Sequence, residues 1–390
     1  MKTRNSFQFN SLSSFRNVRK SAVWAVLCLA VCMLGLSVSA TAQWPKIITF
    51  DATGAAGTTP YSISSTGAVT GAYWDAEGVI HGFVRSADGA IIDFDYPGGT
   101  FTMPWAISPS GEITGLYGDP TVANWDHGFV RTPRGKFIRF DATGAGDGTG
   151  CCGSLPSSNG PGQGTMGEAI NPAGWIAGEY VDSYNVNHGF VRAPGGKITD
   201  FVVPGANAYF GAWVDGAAGI NPAGAIAGGY IEVPSDVYHG YVRAPDGTVT
   251  GINVSGAGTG SFQGTITNGI NSEGAIVGNY VDPSGVNHGF LRAADGRITT
   301  FDFPGAAQIP GLGTIGEDIN SGGEIVGYYF DADSVAHGFV LSANGKFARF
   351  DVPGAVGGTF PMTNNDVGAI TGFYVDSEGV YHGFLQLPMP

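Results

Sequence analysis

The chain has 390 residues, of which 18 are Lys or Arg and 32 are Asp or Glu, so its formal charge is −14. A surface that acidic repels phosphate backbones, and with no basic stripe anywhere in the sequence nucleic acid is excluded as a partner. Apolar residues make up 43% of the chain, ample for a buried core, and the 65 glycines therefore need a positional explanation rather than a compositional one.

Residues 1–42 read as a cleaved secretory signal. Arg16, Arg19 and Lys20 precede an apolar run from Ala22 to about Leu36, and Ala40-Thr41-Ala42 offers the small residues of a cleavage site. The run is shorter than the roughly 20 residues a spanning helix needs, so no membrane span is expected after cleavage. Removing five basic residues and no acidic ones takes the formal charge from −14 to −19. Cys28 and Cys32 leave with the leader. The adjacent Cys151 and Cys152 remain, able to close a vicinal disulfide or to bridge to another chain but not to staple the fold.

From residue 43 onward the chain is one tandem array. Every histidine opens the tripeptide His-Gly-aromatic: His81, His127, His188, His239, His288, His337 and His382, at intervals of 46, 61, 51, 49, 49 and 45 residues. In the unit from Asn268 to Ala306, a short apolar edge Gly269-Ile270-Asn271 enters the turn Asn271-Ser272-Glu273-Gly274. A strand from Ala275 to Val281, a turn at Asp282-Pro283-Ser284-Gly285 and a strand from His288 to Arg292 follow. The turn Ala294-Asp295-Gly296 then leads to a last strand, Arg297 to Phe303. The first turn recurs as Ser64/Gly67, Ser108/Gly111, Asn171/Gly174, Asn221/Gly224, Asn320/Gly323 and Asn365/Gly368, so the glycines mark hairpins.

Four short strands repeated seven times predict an all-β, seven-bladed β-propeller spanning 43–390. Ile47-Ile48-Thr49-Phe50-Asp51 matches a fourth strand, whereas the chain ends after a third, His382-Gly383-Phe384-Leu385. The N-terminal strand is therefore expected to complete the last blade in a three-plus-one closure. An open solenoid, the competing architecture, has no reason to divide one unit between its termini.

The recurring Ile-Asn-x-x-Gly, Ile-Val-Gly-x-Tyr-x-Asp, His-Gly-Phe-Leu/Val-Arg and Phe-Asp-x-Pro-Gly segments resemble the bacterial extracellular HAF-repeat family, named for a His-Ala-Phe core. Gly replaces that Ala in all seven repeats, and the resemblance covers Ile47 to Leu387. It implies a secreted or cell-surface β-repeat protein and carries over no catalytic residue.

Fourteen residues after the histidine stand Asp95, Asp141, Asp302 and Asp351, with Val202 and Asn253 in two repeats and Asp51 filling the place for His382 if the closure is right. Across a three-residue loop these positions face one another on paired strands. A second carboxylate lies six residues before the histidine at Asp75, Asp182, Asp282, Asp331 and Asp376. Such a trio is either a tuned acid-base or metal group or a way of satisfying a half-buried imidazole. Seven equal copies, two of them broken at Val202 and Asn253, favour the structural role. A shared axial metal is excluded, since third strands of neighbouring blades stand roughly 10 Å apart or more and Zn–N bonds need about 2.1 Å. The strand-end arginines Arg85, Arg131, Arg192, Arg243 and Arg292 are assigned to packing or an ion pair between blades, with a ligand pocket in each blade as the alternative.

Individuality is expected in the connections between one blade's last strand and the next blade's first. The longest, Ala142 to Gly167, holds Cys151 and Cys152. Trp105, Tyr209, Phe210, Trp213 and Phe262, with Glu168, Asp215, Glu317 and Asp318 nearby, form the candidate ligand face, a sugar or peptide cleft, the alternative being that these aromatics lid the blade core. The sequence lacks a GxSxG elbow, an HExxH pair, a phosphate loop, an EF-hand loop and a haem-attachment motif, and no catalytic residue, metal or cofactor is assigned. The expected function is a secreted, monomeric binding module, in the extracellular space, at the cell surface or in a periplasm, for a polysaccharide or protein partner. The alternatives are a carbohydrate-active hydrolase or lyase with its site on the loop face, and a purely structural cell-surface protein.

Overall fold

The computed structural model describes residues 46–122, 125–148, 163–206, 211–216, 218–232 and 235–388. Residues 1–45, Cys151, Cys152, Tyr209 and Phe210 lie outside the described residues. Within them the architecture is all-β, with 28 strands and no helix long and apolar enough to cross a membrane.

Each His-Gly-aromatic tripeptide sits on the third strand of a four-stranded antiparallel meander. Around His288 the strands are Gly264–Ile270, Ile276–Val281, Asn287–Arg292 and Ile298–Phe301, with Tyr280 opposite His288 and Gly289 opposite Phe301. The hairpins are built by side chains that stand in for backbone. Asn271 Oδ1 accepts the N–H groups of Glu273 and Ala275 at 3.1 and 2.9 Å, and Gly274 closes the turn at φ +83°. Asp282 Oδ1 does the same for Ser284 and Val286, both at 2.8 Å.

The first strand begins at Gly264, upstream of the Gly269 edge expected from sequence. Its polar residues and a register shift between Thr267 and Gly269 interrupt the period of two that marks a strand. The fourth strand is shorter than expected, Ile298–Phe301, because the Phe303 N–H leaves the ladder and donates to Thr314 Oγ1 of the next repeat at 3.0 Å.

Packing also explains why glycine follows the histidine. A Cβ at Gly289 would lie 2.1 Å from the Phe301 ring, which folds across the third strand, so alanine does not fit there. The third-strand aromatics Phe83, Phe129, Phe190, Phe290, Phe339 and Phe384 are fully buried, and each such side chain contributes about 1.5–3 kcal/mol of burial free energy.

Successive repeats are joined in three ways. Asn171 Nδ2 donates to the Asn221 carbonyl, Asn221 to Asn271, Asn271 to Asn320 and Asn320 to Asn365, all at 3.1–3.2 Å. Arg85, Arg131, Arg192 and Arg243 lie over Phe50, Phe94, Phe140 and Phe201 of the preceding repeat at 5.1, 4.5, 4.9 and 5.2 Å. Thr58, Thr102, Thr165, Thr265, Thr314 and Thr359 hydroxyls each accept a backbone N–H from just beyond the preceding fourth strand. The same links join the two ends. Asn365 Nδ2 donates to the Ser64 carbonyl at 2.9 Å, and Ile47–Phe50 pairs antiparallel with Gly383–Gln386 in the sheet that holds Gly358–Asn364 and Ile370–Val375.

Candidate functional site

The register shift in the first strand recurs at one equivalent residue per repeat: Tyr61, Trp105, Glu168, Asn268, Glu317 and Met362. In the remaining repeat the strand Ala212–Val214 leaves the ladder at Asp215 and rejoins it at the bridge between Ile220 and Ile226. A bulge turns a side chain out of the regular alternation, so each repeat presents one residue that is free to vary while the hairpin around it is conserved in form. All are half-buried except Asp215, which is 4% exposed.

Taken in chain order these residues divide into two arcs. Met362, Tyr61 and Trp105 form an apolar one: the Tyr61 and Trp105 rings lie 4.7 Å apart, Trp105 packs on the cluster of Leu116, Met166 and Val181, and Met362 packs on Phe360 and Phe373. Glu168, Asp215, Asn268 and Glu317 form a polar arc. Asn268 Nδ2 donates to the Gly316 carbonyl at 2.8 Å and to Asn279 Oδ1 at 3.3 Å.

The electrostatics of the polar arc are those of acids partly shielded from water. Burial pushes Glu168 up to about 8, and burial together with the charge of Glu168 raises Glu179 well above the usual carboxylate range. Burial likewise pushes Glu317 up to about 8, reinforced by Asp318 and opposed by a hydrogen bond from the Tyr328 hydroxyl. Asp215 is raised well above the usual carboxylate range by burial, and the charge of Glu317, two repeats away, adds to the effect. Tyr241, fully buried and donating to the Trp213 carbonyl at 2.9 Å, is raised by burial and feels both Asp215 and Glu179. Glu168 acts on Glu179, Glu317 acts on Asp215, and Tyr241 feels both Asp215 and Glu179, so carboxyl groups from three repeats are linked electrostatically.

The residues expected on a loop face are thus distributed differently. Trp105, Glu168, Asp215 and Glu317 occupy the bulge positions of first strands, not the connecting loops. Asp318 is a strut between repeats: its carboxylate accepts the Ile319 and Asn364 N–H groups at 2.7 and 3.0 Å, and burial pushes it up to about 7. Trp213 lies across Gly229, where a Cβ would meet its ring at 2.3 Å. Phe262 stands on a loop, 47% exposed and packed against Tyr238 at 6.2 Å. Tyr61, Asn268, Met362 and Glu179 were not singled out from sequence. The first three share with Trp105, Glu168 and Glu317 a fixed place, three residues before the Asn or Ser of the first turn, and that spacing is a signal the sequence does carry.

The histidines form a separate set. Each imidazole packs against a second-strand tyrosine, for example Tyr73 on His81 and Tyr280 on His288, both at 5.0 Å. His81, His127, His288, His337 and His382 place Nδ1 within 2.7–3.1 Å of Asp95, Asp141, Asp302, Asp351 and Asp51. Nε2 faces Asp75 at 3.2 Å in His81, Asp182 at 3.0 Å in His188, Asp331 at 3.0 Å in His337 and Asp376 at 3.3 Å in His382. His127 instead meets Asp119 at 3.0 Å, eight residues upstream, and His239 pairs with Asn253 at 2.6 Å and Glu232 at 3.6 Å. Burial opposes charging His81 and His382, but their flanking carboxylates outweigh it and both pKa values are raised. Among the described residues no three His, Cys, Asp or Glu side chains are grouped as a metal ion requires.

No family model matches the sequence, and no curated protein matches it. Solved structures do resemble the fold. Virginiamycin B lyase from Staphylococcus aureus matches with a TM-score of 0.53 at 16% identity, over 88% of this chain and 99% of that one. A streptogramin B lyase matches with a TM-score of 0.52 at 14% identity, over 88% of this chain and 98% of that one. The β-propeller domain of the Trilobed protease from Pyrococcus furiosus, which has an open velcro topology, matches with a TM-score of 0.52 at 10% identity, over 85% and 95%. At these identities the likeness carries the fold alone: the architecture is propeller-like.

Proposed function

We propose that this chain is a secreted, seven-bladed β-propeller of the HAF-repeat type, closed three-plus-one by its N-terminal strand, which binds an extracellular polysaccharide through the ring of first-strand bulge residues. The pairing of Ile47–Phe50 with Gly383–Gln386 and the bond from Asn365 to Ser64 support the closure. The leader-like residues 1–42 and the acidic composition support export.

The observation that carries the binding reading is the division of the bulge ring into an aromatic arc at Tyr61 and Trp105 and a carboxyl-amide arc from Glu168 to Glu317. Sugars have apolar C–H faces that pack on aromatic rings and hydroxyl edges that need both donors and acceptors. Carboxyl groups raised to about 8, as Glu168 and Glu317 are, keep their protons at neutral pH and offer both. Loss of the ring's asymmetry by one substitution should therefore remove binding without disturbing the blades.

A glycan array probed with residues 43–390 tests this. The expected outcome is selective retention of one polysaccharide class, weakened by at least about tenfold in Trp105→Ala. Binding that is indifferent to Trp105, Glu168 and Glu317 together would place the ligand elsewhere and overturn the assignment. A carbohydrate-active enzyme is the second reading, favoured by the raised pKa values of Glu168 and Glu317, since a protonated carboxyl is what a general acid requires. Release of shorter products from the retained glycan would select it.

A further inference from the structure

We infer that the ligand of the bulge ring is amine-bearing, a glucosamine-type oligosaccharide whose protonated primary amines enter the carboxyl arc while its sugar faces rest on Tyr61 and Trp105. This rests on the polysaccharide reading above and narrows it.

The first ground is an imbalance of charge. Glu168 acts on Glu179 and Glu317 acts on Asp215, and the groups that act on these four are other acids, tyrosine and threonine hydroxyls and backbone N–H groups. No lysine, arginine or histidine is among them; Arg243 is felt only at Tyr241. Acids buried together without cations are unfavourable, because each is costly to ionise and each raises its neighbours. The fold does not require acids there, since equivalent positions are filled by Tyr61, Asn268 and Met362.

The second ground is independent of that count. Both carboxylate oxygens of Asp215, a side chain 96% buried by its 4% exposure, have no hydrogen-bond partner. The neighbouring Thr267 hydroxyl, close enough to lower the Asp215 pKa, gives its one hydrogen to the Gly228 carbonyl at 2.7 Å and so has none left to donate to Asp215. Trp105 Nε1, on the opposite arc, is a buried donor with no acceptor. Native interiors satisfy such groups, and when they do not the missing partner is a candidate ligand group or water. An ammonium donates three hydrogen bonds and accepts none, matching a cluster that offers carboxyl oxygens. A bare metal ion is the poorer match, because no three of these side chains are grouped closely enough to share one.

Binding moves protons in a defined way. A carboxyl group that is protonated in the free protein releases its proton to the buffer as the ammonium docks, leaving a carboxylate–ammonium pair. The acidity of the whole chain, −19 without residues 1–42, adds a long-range attraction for a polycation.

Calorimetric titration of residues 43–390 with a glucosamine tetramer and with its fully N-acetylated counterpart, at pH 7 in phosphate and in Tris, tests the inference. The amine form is expected to bind at least about tenfold tighter and to release about one proton per chain bound, read from the difference in heat between the two buffers. Glu168→Gln with Glu317→Gln should abolish the proton release and the preference, and Trp105→Ala should weaken both ligands. Should the double variant fail to fold, proton release by the unaltered protein still decides. Equal or tighter binding of the acetylated tetramer with no proton release would overturn the amine assignment and leave the polysaccharide reading standing. Binding of neither tetramer, on a protein that also retains nothing on the array, would end both. Amine binding that survives in a folded double variant would mean only surface attraction by the acidic chain and would overturn the assignment to the ring.

Discussion

At the scale of the residue, two of the seven histidines, His81 and His382, are held toward the charged form by their flanking carboxylates. His81 and His382 have carboxylates at both ring nitrogens, and acceptors on both sides are satisfied together only when both nitrogens carry hydrogen. Their raised pKa values give a stability term that is complete below the ordinary histidine value of about 6.5 and lost as pH rises through the folded value. His81→Gln should therefore cost about 1 kcal/mol at pH 5.5, discounted for its partial exposure, and less at pH 8, as chemical denaturation at the two pH values would show. The same change at His188, whose partner position is the exposed Val202, should cost less. An equal loss at both pH values would mean that the imidazole is held neutral. The fourteen-residue spacing made the Nδ1 partners legible because a tight hairpin keeps its register. The Nε2 partners Asp119 and Glu232 were hidden, since longer second turns shift the carboxylate to eight and seven residues upstream.

At the scale of the element, the first strand was the least legible and the most informative. Second and third strands announce themselves by β-branched and aromatic residues in alternation, as in Ile276–Val281. First strands run Gly264-Thr265-Ile266-Thr267-Asn268, with polar residues bonded to neighbouring repeats and a bulge that cancels the alternation, so their sequence resembles a loop. That is why Trp105, Glu168, Asp215 and Glu317 were expected on connections, while their types were noticed correctly as departures from the repeat. The bulge also dictates a glycine opposite it. A Cβ at Gly278 would lie 2.1 Å from the Ile266 carbonyl, with the buried Phe290 ring also close, so neither backbone nor ring can yield. Gly278→Ala should lower unfolding free energy by about 1–3 kcal/mol, measured in denaturant, whereas Gly251→Ala, with nothing within 4 Å of the added methyl, should be near neutral. A cost at Gly278 no larger than at Gly251 would refute the close approach.

At the scale of the whole molecule, stability is shared among repeats that cannot stand alone. The core clusters straddle repeats, as where Ile63, Val69 and Phe83 pack with Ala369 and Leu385 from the other end of the chain. Removing residues 43–51 would strip the strand Ile47–Phe50 and the ring under Arg85, leaving Gly383–Gln386 as an open edge. Such a truncation should melt at lower temperature and self-associate, which calorimetry and light scattering would detect; a truncated protein as stable and as monomeric as the parent would show that the terminal strand is dispensable.

The strand that joins the ends does so with Ile47 opposite Gln386 and Phe50 opposite Gly383, so the two termini leave the sheet at the same side. A load drawn between them would act on one rung of the ladder at a time, peeling the strand away instead of shearing all its rungs together. If both ends were anchored, to a cell and to a matrix, the molecule would yield first at this seam and pay out chain from it, repeat by repeat, at low force.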